Sequence, residues 1–343
     1  MIRLTLRQFR TEALTGFGLL IVLAIVLAIT GVHLAQLNDA FQATCKATGD
    51  CASAANPASE FDPGLQALVP LIAIVMPAVL GLFFGAPLIA RELETGTFRL
   101  AWTQSVTCRR WLAVKLGLVG LAVVALGGLL TWMVDWWQSP LDAASQNRFD
   151  PVNFGFHGVV PIGYAAFAFA LGVTAGVLLR RTVAAMGATF VGFVVARLAV
   201  ISWVRPNLAA PLQESFSFVT ARPVIELQAP ANTLSLVPPL VNIPNGWVYS
   251  TAVVDKSGYT PTSQYLLHAC PALGQILNAG PAAGPPVAIH ECINTLAATF
   301  HTVATYQPAS RFWPFQWAEL GIFFAAALAL CGLTYWWLRR QYA

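Results

Sequence analysis

Side chains able to do chemistry are sparse in this sequence and fall into three groups. The first is a repeated His-x-Cys, His268-Ala-Cys270 and His290-Glu-Cys292. Two imidazoles and two thiols are the donors of a Cys2His2 zinc site, although one intervening residue within each pair is short for it. The same cysteines on an oxidising side of a membrane would instead close a disulfide. The second group is ionisable residues set in apolar runs, Asp135, Arg197 and Glu319. A lone Arg at mid-membrane costs roughly 2.5–3.5 kcal/mol on insertion scales, so Arg197 is expected to pair with Glu319 or Asp135. Such a pair is either a strut between helices or a gate whose ion pair breaks when the helices move. The third group is Arg91, Glu92, Glu94, Arg99, Arg109 and Arg110, in a polar stretch between two long apolar runs, 67–90 and 111–134. A helix-forming segment held there is a docking point for a soluble partner, or a basic connector that only fixes topology.

Several chemistries are not expected. No Gly-x-x-x-x-Gly-Lys-Ser/Thr run is present, so this chain carries no ATPase site of its own. No Ser/His/Asp set and no paired carboxylates share a plausible site, so no catalytic or cofactor-binding residues are assigned. His33, His157, His268, His290 and His301 all fall on or near the outer side, none at span depth beside an acid. A membrane enzyme or sensor built on segment 205–313 would use His268, His290, His301 and Glu291. No basic stripe with interleaved aromatics exists, which argues against nucleic acid.

The elements that must position these groups are membrane helices. The chain is 57% hydrophobic and 10% charged, with mean hydropathy +0.65. Its apolar runs of 20 or more residues suit a helical bundle in a bilayer. Residues 1–12 read as a short amphipathic helix, with Ile2, Leu6, Phe9 and Ala13 on one face and Arg3, Arg7 and Arg10 beside them. Such a helix lies flat on anionic headgroups. Six spans are expected at about 13–37, 67–90, 111–137, 158–179, 183–204 and 314–338. The first is too long for a signal-peptide core and is read as retained. Pro70, Pro77 and Pro87 should bend the second span.

Orientation follows from Lys and Arg. Segments 1–12, 91–115, 180–182 and 339–343 hold 12 of them, and the much longer opposite segments hold 6. At roughly 1 kcal/mol for each basic side chain near an anionic leaflet, both termini belong in the cytoplasm. Cys45 and Cys51 then share one outer loop, and Cys270 and Cys292 share the large outer segment. Two disulfides, Cys45–Cys51 and Cys270–Cys292, are expected. The fold class is therefore an all-α membrane protein of six spans, 13–204 holding spans 1–5 and 314–343 span 6 with its tail. Within 205–313, helices are expected over 262–278 and 287–304. Trp247, Tyr249, Tyr259 and Tyr265 are the expected contact residues where this segment caps the outer exit.

The stretch between spans two and three carries a resemblance. Glu92-x-x-x-Gly96-Thr97, then Phe98-Arg99-Leu100-Ala101-Trp102, then Ser105-Val106-Thr107-x-Arg109, then Lys115 opening a span, resembles the cytoplasmic segment of ABC-2 type transporter permeases. Gln104-Ser105 stands where that family has a proline. Residues 306–319, from Tyr306-Gln-Pro308 to Gln316-Trp-Ala-Glu319, are similar to the C-terminal part of actinobacterial permeases of this type. The resemblance implies a coupling helix within 91–110 that rests on a separate ABC ATPase subunit, with ATP and Mg bound there. It also implies a second permease copy or paralogue, a bacterial plasma membrane, and export. Under it, Glu92 and Glu94 would pair with basic residues of the ATPase, Phe98 and Trp102 would fill its groove, and Gly96, Thr97, Arg99 and Arg109 complete the segment. The Gly- and Ala-rich walls at 164–176 and 191–199 allow close packing, and would suit a hydrophobic or amphipathic cargo.

Overall fold

The computed structural model describes residues 2–49, 57–96, 108–145, 148–217, 224–228, 233–238, 241, 243–271 and 287–342. It divides into two compact units, residues 1–208 with 311–343 and residues 209–310. Six helices of the first unit are long and apolar enough to cross a membrane.

The first span belongs to α1, Ile2–Thr48, a single helix of 47 residues. The separate interfacial helix over 1–12 is therefore not seen; it is the first turns of α1. Neither proline nor glycine lies between Arg10 and Ala13 to stop the helix. The side chains of Arg3, Arg7 and Arg10 lie outside the described residues. The helix also runs on past Leu37, because hydropathy ends there but helix-forming residues do not. It stops at Gly49, whose φ of +69° is open to glycine.

The second span has three pieces. After α2 (Pro57–Glu60), α3 (Pro63–Leu80) starts with Asp62 accepting the Leu65 N–H at 3.0 Å and Pro63 in the first turn. A π-helical turn over Gly81–Gly85 follows, then α4, Ala86–Thr95, which ends on Gly96 at φ +73°. The third span is α5, Cys108–Ser145. The fourth is α6, Val160–Leu179, and the fifth is α7, Thr182–Ala199, continued by a π turn and a short 3-10 turn to Asn207. The sixth is α10, Phe312–Tyr342.

Helix α6 is the centre of this unit. Sixteen of its twenty residues are buried, and it touches α3, α4, α5, α7 and α10. Its small residues let neighbours approach at backbone distance. A methyl group at Gly172 would lie 2.5 Å from the Gly81 carbonyl oxygen, and one at Gly81 would lie 2.6 Å from that of Ala168.

The second unit is not helical throughout. A three-stranded antiparallel sheet has the order β1-β5-β4, from β1 (Leu212–Phe216), β4 (Trp247–Asp255) and β5 (Phe300–Gln307). Strands β2 (Val224–Gln228) and β3 (Thr233–Val237) form a separate antiparallel pair. Helices are α8 (Ser263–Ala269) and α9 (Val287–Thr299). The helix expected over 287–304 thus turns into a strand at Phe300. Residues 300–307, FHTVATYQ, are β-branched and aromatic, and their inward and outward faces alternate. Leu236, Val253, Leu266, Leu296 and Phe300 pack around Cys270. Trp247 is buried against Tyr249, and Tyr265 meets Phe300 edge-on, whereas Tyr259 is exposed.

If the α6 contact fixes the bundle, Gly172→Ala should destabilise the chain by about 1–3 kcal/mol through overpacking. Gly187→Ala, which meets nothing within 4 Å, should leave the thermal midpoint in detergent unchanged or slightly raised.

Candidate functional site: the linker face and the buried polar cluster

The end of α4 is tied to two other spans. Glu92 accepts a hydrogen bond from Lys115 in the first turns of α5, as an ion pair with little solvent contact. The Lys115 ammonium also lies 4.9 Å over the Trp111 ring. Two residues on, Glu94 Oε2 accepts from the Thr182 hydroxyl at 2.8 Å and from its backbone N–H at 3.2 Å. The two carboxylates thus have partners within the chain, where the resemblance had them facing an ATPase. Thr97, Phe98, Arg99 and Trp102 lie outside the described residues, as does the side chain of Arg109.

The intramembrane ion pair forms with a different arginine. Glu319 of α10 binds Arg205, not Arg197: Nε donates to Oε2 at 2.9 Å and Nη2 to Oε1 at 3.0 Å, with both side chains fully buried. The fork matches a carboxylate in two places, which is the strong geometry for this pair. Tyr164 of α6 donates its hydroxyl to Glu319 Oε1. Arg205 Nη1 donates to the Pro151 carbonyl at 2.9 Å, and the guanidinium covers the Phe154 ring at 4.3 Å. Arg197 points elsewhere. It donates to the Ile74 carbonyl at 2.9 Å and lies 4.8 Å over the Tyr164 ring. A backbone carbonyl of α3 and an aromatic face replace the expected carboxylate.

Asp135 is likewise paired differently. Its Oδ1 is 2.7 Å from His157 Nδ1, and its Oδ2 accepts the Gly158 N–H at 3.0 Å. His157 is fully buried, and its Nε2 lies 3.5 Å from Asp142 Oδ2. No histidine is expected at span depth beside an acid; His157, which lies between the third and fourth span helices, has two acids beside it, Asp135 and Asp142. Although the third span is expected to end at 137, α5 continues to Ser145 and brings Asp142 up beside the ring. Gln316 completes the arrangement, accepting the Val159 and Val160 N–H groups at 3.0 Å each and donating to the Phe154 carbonyl at 3.1 Å. Residues 148–160 are thus stapled to α5 and α10 by buried polar groups.

Arg205, Gln316, Tyr164, His157 and Asp142 were missed as a set. One signal was available: Gln316 and Glu319 are three apart at the start of the last span, on one face of a helix. Arg205 falls outside the expected fifth span because the apolar run ends at Val204. Among the cysteines, Cys270 and Cys292 form the expected disulfide, which removes both sulfurs from the zinc alternative. Cys45 is also disulfide-bonded, and Cys51 lies outside the described residues.

The chain thus has a buried ion pair, six candidate spans and an α4 end tied to two neighbouring spans. The sequence profile of the ABC-2 membrane transporter related family matches residues 17–205, more than half of the chain. The chain belongs to that family. No curated protein and no solved structure matches it. As an ABC-2 permease it is a multi-pass membrane protein and a transport component. Proteins of this family generally work with an ABC ATPase subunit and are not themselves catalytic. The match spans the α4 ties, Tyr164 and Arg205, and ends short of Glu319.

Breaking one side of the Arg205–Glu319 pair strands a buried charge. Arg205→Met or Glu319→Gln in this permease should each cost about 3–5 kcal/mol, and the double change Arg205→Met/Glu319→Leu clearly less than either. Thermal unfolding in detergent reads the difference.

Proposed function

We propose that this ABC-2 permease is the membrane subunit of an ATP-driven exporter, powered by a separate ABC ATPase that docks on residues 91–110. In this reading the termini and the linker face the cytoplasm of a bacterial cell, ATP and Mg sit on the partner, and a second copy or paralogue completes the transport unit. The cargo is hydrophobic or amphipathic, such as a lipid, a peptide or a drug-like natural product, leaving outward.

The observation that carries the proposal is the end of α4. A helix from the second span stops at a left-handed glycine, and the linker begins there. Its last turns are held to the starts of α5 and α7. A push on the linker therefore has somewhere to go. The helix bundle supplies the stiff body and the ATPase supplies the two-state drive. The family match covers the whole linker, and the Lys/Arg excess on that side supports a cytoplasmic position. Because Glu92 and Glu94 are engaged within the chain, docking falls to Phe98, Arg99, Trp102 and Arg109. Phe98 and Trp102, four apart in the sequence, would form the apolar anchor.

The test is co-purification with the ATPase encoded beside this chain. The unsubstituted permease should retain it, and Phe98→Asp with Trp102→Asp should reduce retention at least ~10-fold with expression unchanged, the loss expected for an anchor worth over 1.4 kcal/mol. Equal retention by the double variant would remove the linker from the docking surface.

A further inference from the structure

The start of α7 is held by a side chain from another span, as the start of α6 is by Gln316, but here the link is Glu94 to Thr182. Helix α7 begins straight after the two-residue turn Arg180-Arg181, in which Arg180 is left-handed at φ 54°. Its cap residue Arg181 is extended, φ −133° and ψ 122°, and provides no side-chain cap. The first N–H groups of a helix need acceptors and favour negative charge. Here the acceptor is a carboxylate from another span. Glu94 Oε2 takes both the Thr182 N–H and the Thr182 hydroxyl.

The rest of the seam between α4 and α7 is smooth. Ala86 and Ala90 of α4 meet Ala175 of α6 and Ala185 of α7, with Met186 alongside. Within α7 only Ala185, Thr189 and Phe193 are buried. Small apolar side chains let the two helices approach closely. The charge-assisted hydrogen bond adds a directional contact at one place along that seam. The fifth span is thus packed lightly and indexed to α4 at its first residue.

We propose that Glu94 is a positioning residue that passes movement of the linker to the fifth span, by holding the start of α7 to the end of α4. The proposal rests on the docking reading above and adds the route by which the drive leaves α4. Glu92 and Lys115 hold the third span separately, so loss of Glu94 should uncouple the fifth span alone.

Two reporters separate the two ideas. In the full permease–ATPase complex, with Cys108 and Cys331 replaced by alanine, a spin label is placed at Arg91→Cys, exposed on α4, or at Val183→Cys, exposed on α7. ATP with vanadate is the probe, and the change in label mobility or inter-copy distance is the readout. Both positions should respond in the unsubstituted complex. In Glu94→Ala the response at 183 should fall about 5-fold or more, as for the loss of a typical coupling energy, while that at 91 and the retention of ATPase persist. Glu94→Gln, which keeps an oxygen acceptor, should restore much of the response. Thr182→Val should weaken it, and should add little to Glu94→Ala because the two act as one link. A full response at 183 in Glu94→Ala overturns the proposal with the docking reading intact. Silence at both positions in the unsubstituted, ATPase-bound complex overturns the docking reading and this proposal with it.

Discussion

Between Gly81 and Gly172 two helix backbones come closer than any Cβ would allow, and the rest of the membrane unit is arranged around that contact. In lipid there is no hydrophobic gain from bringing helices together, so close packing and interhelical hydrogen bonds must do it. Helix α6 supplies the packing, since glycine and alanine alternate along it with Tyr164, Phe167 and Phe169. Five other helical segments lean on it. The π turn at 81–85 places α4 against the same helix, with Gly176 and Ala86 in a second close approach. The span that carries the linker is therefore seated on the most buried element of the fold.

Polar groups finish what packing begins. Near one end of the bundle, Arg205, Glu319 and Tyr164 join the fifth, sixth and fourth spans, and His157 and Gln316 staple the 148–160 segment to its neighbours. Near the other end, Glu92 and Glu94 join the second span to the third and fifth. Burying these charges is costly unless every member is satisfied, and here the partners are close and mostly multiple. One end is braced by a dense, dry network. The other is held by two discrete links, one of them open to solvent. That difference suits a body that is rigid at the far side and driven at the linker side.

Much of this was legible in the sequence because bilayer chemistry writes itself in long runs. The six spans, the polar stretch between the second and third, and the Cys270–Cys292 bond follow from hydropathy and from which side each cysteine falls on. What was not legible depends on contacts between distant residues. Arg197 and Arg205 are eight apart on the same span, and Arg197 is instead met by the Ile74 carbonyl and the Tyr164 ring, contacts that the sequence does not announce. Helix ends failed for a related reason. Hydropathy stops at Leu37 and Trp137, but helices continue to Thr48 and Ser145. The strands at 247–255 and 300–307 carried a β-branched signal that the surrounding membrane pattern obscured.

The account as a whole requires the linker to lie on the cytoplasmic side. The direct measurement is reaction of a single thiol at that place, Arg99→Cys with Cys108 and Cys331 replaced by alanine, with a membrane-impermeant maleimide applied to intact cells. No labelling before permeabilisation, and labelling after it that is blocked when the ATPase subunit is bound, is the predicted result. Rapid labelling of intact cells would place the linker outside and contradict the account.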